Sequence, residues 1–114
     1  MKQKKSTKIQ PRVSIICGSS SDYNLVRETE KILKKLKIKF DTRIVSAHRT
    51  PKRMFDWATN LHKKYTCCIA FAGGSASLPS VTAALSQGIP TIGVPVETSK
   101  LKGLDSILSM CMCP

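Results

Sequence analysis

Acidic residues are scarce in this chain of 114 residues: Asp and Glu together number 7 against 19 Lys and Arg, a formal net charge of +12. Aromatic residues are few as well, at 5%, and no apolar run approaches the ~20 residues of a membrane-spanning helix. The opening "MKQKKSTKIQ" has lysines but no hydrophobic stretch behind them, so it does not read as a secretory signal; residues 1–10 are expected to form a basic flexible tail. Five cysteines (17, 67, 68, 111 and 113) show no CxxC spacing, which argues against a zinc or redox site and for reduced thiols in a cytosolic protein. Neither GxxxxGK[ST] nor GxGxxG occurs, so neither a P-loop nor a dinucleotide fingerprint is present.

The positive charge raises the question of nucleic acid, since Lys and Arg gain affinity for phosphate backbones by releasing counterions. Its distribution weakens that reading. Five basic residues fall in the first twelve positions, and five lysines in "EKILKKLKIK" occupy the polar side of an amphipathic helix. No zinc finger, aromatic RNA-binding motif or basic heptad array accompanies them.

What remains is a 41% hydrophobic composition suited to one globular domain, expected over residues 11–114. "RVSIIC" (12–17) reads as a buried strand closed by Gly18 and serines. A helix follows, with Leu25, Thr29, Ile32, Leu33 and Leu36 as its predicted inner stripe. "FDTRIVS" (40–46) is a second strand, after which Thr50 is placed to cap a helix and Pro51 to occupy its first turn. Met54, Trp57, Ala58 and Leu61 form that helix's inner stripe. "TCCIAFA" (66–72) and "PTIGVPV" (90–96) are the third and fourth strands, followed by helices in "SVTAALSQG" and "LDSILSM". Alternating strands and helices imply an α/β fold with a parallel sheet, whose strand-following loops all meet at one carboxyl edge.

That edge gathers "GSSSD", "SAHRT", "AGGSAS" and "ETSKLKG". The first loop has the glycine, hydroxyls and following helix of an anion site, although a serine-rich loop taken alone is more often merely a capped turn. Arg49 supplies a forked cation for phosphate oxygens, and Asp22 an acceptor for ribose hydroxyls. His48, beside Arg49, is the candidate for proton transfer, while His62 in "LHKKY" reads as a surface residue. "GGSAS" removes bulk, so a planar ring or small molecule can approach its backbone N–H groups; tight helix packing explains the same glycines.

"CGSSSDY", "VSAHRTP", "AGGSASLPS" and "GIPTIGVPVETSKLKGLDSILSM", in this order and spacing, resemble the N5-carboxyaminoimidazole ribonucleotide mutase family of purine biosynthesis, the class I form of aminoimidazole ribonucleotide carboxylase. The resemblance runs from about residue 11 onward. It implies a three-layer flavodoxin-like fold, a homo-octamer in the intact family, and an enzyme using no metal, ATP or organic cofactor. Ser19, Asp22 and Arg49 would bind the ribonucleotide's phosphate and ribose, with Ser21 and Ser46 supporting their loops. His48 matches the family's proton-transfer histidine. Gly73, Gly74, Ser75 and Ala76 would enclose carbon dioxide between its release from N5 and its addition to C4.

The sequence departs from that pattern in two places. Where the family reads AGGAAHLPG this chain has Ser77 for the histidine and Ser80 for the last glycine. In addition, the family pattern continues past "SMCMCP" into a further strand and helices. Without them a strand edge would be unpaired and apolar helix faces uncovered, so reduced stability or aggregation is expected of these residues alone. A nucleotide-binding pseudoenzyme or fragment, with the phosphate site kept and turnover lost, is the alternative to a working mutase.

Overall fold

The computed structural model describes residues 10–113, so nearly all of the expected basic tail lies outside the described residues. Four strands alternate with helices: β1 (Arg12–Cys17), α1 (Tyr23–Lys35), β2 (Lys39–Ile44), α2 (Pro51–Thr59), β3 (Cys67–Gly73), α3 (Leu78–Leu85), β4 (Thr91–Val96) and α4 (Leu104–Cys111). All strand pairs are parallel, in the order β2-β1-β3-β4. This is the flavodoxin-like arrangement, and its strand order reverses between β1 and β3, the position where open α/β sheets place ligands. Among the described residues, no helix is long and apolar enough to cross a membrane.

The continuous burial of β1 from Val13 to Cys17, Ser14 included, is explained by its central place, with neighbours on both sides and helices over both faces. On one face, Val26 and Leu33 of α1 pack with Val13, Ile15, Cys17 and Phe71. On the other, Met54 and Ala58 of α2, Leu61 and Leu78 pack with Ile16, Val45, Cys68 and Ala70. Burial pushes the Cys68 thiol up to about 12, leaving it an inert core group. Gly93 marks where two helices press on β4: a Cβ there would lie 3.1 Å from Met110 Sδ and 3.2 Å from the Pro79 ring.

The inner stripe expected for α2 is found, with Met54 and Ala58 almost fully buried, Trp57 partly so, and Leu61 buried from the short turn that follows the helix. That of α1 is largely not. Leu25, Ile32 and Leu36 are 48%, 59% and 61% exposed; of the expected stripe only Leu33 is buried, and it meets the sheet together with Val26, which the stripe did not include. The helix carries two adjacent apolar stripes, and its rotation against β1 buries the narrower one. Strand β2 also ends two residues early, because the Val45 N–H still bonds Cys17 O (3.0 Å) but Ser46 turns away into the next loop.

At the amino edge of the sheet, an ionic cluster ties three chain segments together. Arg12 donates to both carboxylate oxygens of Asp41 (3.1 and 3.0 Å), the Tyr65 hydroxyl donates to the same carboxylate (2.7 Å), and Lys64 lies 3.4 Å away. The Tyr65 hydroxyl foremost, then Arg12, hold the Asp41 carboxyl below its ordinary range. Since the folded-state value is the lower one, this stabilisation is present above the unfolded carboxylate pKa of about 4 and is lost as pH falls through the folded value. Asp41 keeps 32% side-chain exposure, which limits the gain by screening. The thermal midpoint of the native chain should therefore fall more steeply than that of Asp41→Asn below about pH 4. Melting curves that stay parallel across this range would show that the cluster contributes nothing to folding.

Candidate active site

The four loops of the carboxyl edge surround a cavity of about 360 Å³. In the first, Ser19 is extended and its Oγ accepts the Ser21 N–H (3.2 Å) and lies 3.0 Å from Ser21 Oγ, drawing Ser20–Asp22 into a single 3-10 turn before α1. The Asp22 N–H returns to Ser19 O (3.1 Å), but its carboxylate makes no capping bond to α1 and remains available at the cavity wall. Burial raises this carboxyl's pKa, opposed by a hydrogen bond from the Ser19 backbone.

The second loop closes on itself. Ser46 Oγ accepts the Arg49 N–H (3.1 Å), while Thr50 Oγ1 and Ser46 exchange bonds: the Ser46 N–H donates to Thr50 Oγ1, and that hydroxyl reaches Ser46 O, both at 3.2 Å. Thr50 thus stands at the start of α2 without capping it, contrary to the expectation from sequence, because its hydroxyl is spent on Ser46; Pro51 does occupy the first turn. The N–H groups of Ser46, Arg49 and Thr50 are thus satisfied within the loop, and the side chains of His48 and Arg49 are left exposed on the cavity wall.

Loop 74–77 brings Ser77 across to His48, with 3.2 Å between Ser77 Oγ and His48 Nε2. The hydroxyl at this position therefore occupies the imidazole's hydrogen-bonding direction, as orienting partner or as the first step of a proton path. Its N–H groups are less free than the glycine-rich sequence suggests. Gly74 N–H donates to Ser106 Oγ (2.9 Å), Ala76 N–H to Ser109 Oγ (3.0 Å), and Ser77 N–H to Ser75 O (2.9 Å). Ser106 in turn donates to Val96 O at 2.6 Å, and Ser109 Oγ lies 3.0 Å from Gly74 O. Ser106 thus clamps the loop to the end of β4, and Ser109 clamps it to α4. Gly74 has a positive φ of 68°, and a Cβ on Gly73 would approach Thr98 Cγ2 to 3.2 Å, so both positions are restricted by the backbone path.

Ser19, Ser21, Asp22, Ser46, His48, Arg49, Gly73, Ser75 and Ser77 all line the one cavity. Gly74 and Ala76 do not; they face α4, and Ala76 is buried. The cavity also takes in Glu97 and Thr98, which sequence reasoning placed at this edge without singling them out. Ser106 and Ser109 were missed altogether. Their only sequence signal is spacing, two hydroxyls three residues apart on one side of a helix that begins just after the fourth loop. Replacing the fully buried Ser106 by Ala leaves both Gly74 N–H and Val96 O unpaired, so a loss of about 1–3 kcal/mol is expected in urea unfolding, read as a lower midpoint at unchanged slope.

Comparison with known proteins places these loops in context. The chain is 47% identical over 105 residues to the N5-carboxyaminoimidazole ribonucleotide mutase of Thermotoga maritima, and 44% identical over 106 residues to that of Mycobacterium leprae. The alignments cover 91% and 92% of this chain, which spans 61% of the length of either relative. In three dimensions it is similar to the crystal structure of Treponema denticola PurE, with a TM-score of 0.81 and 29% identity over 91% of this chain and 66% of the other. The AIR carboxylase family model matches residues 12–114, which include all four loops of the cavity, and the chain belongs to that family.

Proposed function

We propose that the chain carries the active site of an N5-carboxyaminoimidazole ribonucleotide mutase, an isomerase that moves a carboxylate from N5 to C4 of the aminoimidazole ring in purine biosynthesis. The observation that carries this reading is the union of His48, Ser77 and Arg49 with Ser19 and Asp22 around a single cavity at the switch point of the sheet. Arg49 and Ser19 hold the phosphate, Asp22 accepts from the ribose, and Ser21 and Ser46 keep the two loops in shape.

The reaction then needs few groups. The N5–carboxylate bond breaks, its electron pair stays on nitrogen, and His48 delivers a proton there as carbon dioxide leaves. C4 of the ring attacks the carbon dioxide, forming the new C–C bond, and neutral His48 removes the C4 proton to restore the aromatic ring. Ser77, 3.2 Å from Nε2, holds the imidazole between the two positions. Gly73 and Ser75 wall the space where carbon dioxide waits, while Gly74 and Ala76 give that wall its shape through the α4 serines. Exclusion of water and retention of the small intermediate require the bound ribonucleotide to cover this wall, whose Gly73 and Ser75 are exposed.

A homo-octameric, cytosolic enzyme is the setting this reading implies. The exposed apolar residues of α1 and α4, among them Ile32, Leu36, Ile107 and Leu108, supply surface for assembly. The test is conversion of N5-carboxyaminoimidazole ribonucleotide by the purified chain, followed as formation of the C4-carboxylated product, alongside calorimetric binding of the same ligand. Turnover supports the mutase; binding without turnover transfers the site to a nucleotide-binding pseudoenzyme, the reading that Ser77 at the histidine position favours.

A further inference from the structure

A second groove, of about 650 Å³, shares a wall with the active-site cavity. Ser19, Ser46 and Arg49 belong to both, and the groove adds Arg43 of β2 and Arg53 of α2. None of these three arginines makes an ion pair among the described residues. Asp41 is engaged with Arg12, Lys64 and Tyr65, the last of which also has Arg43 beside its hydroxyl, and Asp56 is engaged with Lys52, while Asp22 and Glu97 line the neighbouring cavity on the Arg49 side. Glu30 is bound by Thr42 (2.6 Å) and Tyr23 (3.4 Å), two residues that themselves line the groove. Arg27 sits 5.9 Å from the centre of the Tyr23 ring, a further cation nearby.

Three arginines lining one concave surface outnumber the single carboxylate, Glu30, bonded to its wall, and a counter-anion turns that excess positive charge into affinity. A phosphate monoester carries about two negative charges and is served by Arg49 with the serine hydroxyls. Arg43 and Arg53 are then surplus to the mononucleotide. We propose that the groove binds the additional phosphoryl groups of a linear polyphosphate, as carried by nucleoside diphosphates and triphosphates, with the first phosphate at Ser19 and Arg49 and the following ones toward Arg43 and Arg53. Because the first phosphate position is common to both, such a ligand and the ribonucleotide exclude each other, and polyphosphorylated nucleotides act as competitive inhibitors. The inference rests on the proposed function only for the position of that first phosphate.

The experiment titrates the full chain calorimetrically with inorganic phosphate, pyrophosphate and tripolyphosphate at a constant ionic strength of about 150 mM, where long-range charge effects are screened. Tripolyphosphate is expected to bind ~10-fold or more tighter than phosphate. Arg43→Gln with Arg53→Gln should erase that gain. Lys34→Gln with Lys35→Gln, the same loss of charge on the exposed end of α1 outside the groove, should preserve it. Circular dichroism of both variants ensures that folded chains are compared. No gain for tripolyphosphate, or an equal drop in both double variants, overturns the proposal, the second outcome revealing only the general attraction of a chain of net charge +12. Ribonucleotide conversion is measured separately, so a failure of the mutase reading leaves a distinct signature: the polyphosphate gain persists while the ribonucleotide is neither bound nor converted.

Discussion

Replacing His48 by Asn is expected to lower kcat for conversion of the ribonucleotide by ~10²–10⁴-fold while leaving KM within a few-fold of the native value. The argument is one of supply. His48 is the one imidazole on the cavity, since His62 lies in the short turn after α2, away from the carboxyl edge. A serine hydroxyl does not exchange protons near neutral pH as an imidazole does, so Ser77 cannot replace it. Asn retains a polar side chain beside Ser77 and leaves Arg49 and its loop in place, so ligand binding should persist. Steady-state kinetics with isothermal titration of the substrate separates the two effects. A variant with unchanged kcat would show that protons come from another group and would remove His48 from the mechanism. Ser77→Ala tests the orienting role beside it: kcat should fall far less than in the histidine variant, because the base is kept and only its placement is relaxed.

Arg49→Ala should show the opposite pattern, a ~10–100-fold rise in KM with a smaller change in kcat. Charge-assisted bonds from a guanidinium to phosphate are made before and during the reaction alike, so their loss weakens substrate and transition state together. Arg49→Lys is expected to recover only part of the affinity, because a single ammonium cannot reproduce the two parallel donors of the fork. The Arg49 N–H bond to Ser46 Oγ is a backbone interaction and survives both substitutions, which confines the effect to the side chain. A KM that does not move in either variant would take the phosphate away from this loop.

Much of the site is legible in the residues themselves because strand-following loops announce their own position. Gly18 with its serines, "SAHRT", and the two glycines at 73 and 74 each interrupt an apolar run, and parallel topology then requires them to share an edge. Less legible is what each polar group does once it is there. Thr50 has the type and place of a helix cap, yet its hydroxyl closes a turn with Ser46, since both outcomes satisfy one backbone group and the choice is geometric. The apolar pattern of α1 likewise admits two faces: Leu33 is buried as its spacing predicts, but Val26 joins it in place of Leu25, Ile32 and Leu36 when the helix settles on β1.

From the sequence alone come the order of strands and helices, the parallel sheet with its carboxyl-edge loops, and the residue types able to hold a phosphate and move a proton. These are consequences of local periodicity, of glycine and proline punctuation and of handed connections, which act over a few residues or one crossover. Three features depend on the tertiary structure. Ser77 meets His48 across 29 positions of chain, Ser106 and Ser109 take the N–H groups of Gly74 and Ala76 across 32 and 33, and Arg43 joins Arg49 and Arg53 around one groove. A hydrogen bond needs its partners within ~3 Å and a narrow range of angles, and separations of that order follow from how separate elements pack, information that no short window of sequence contains.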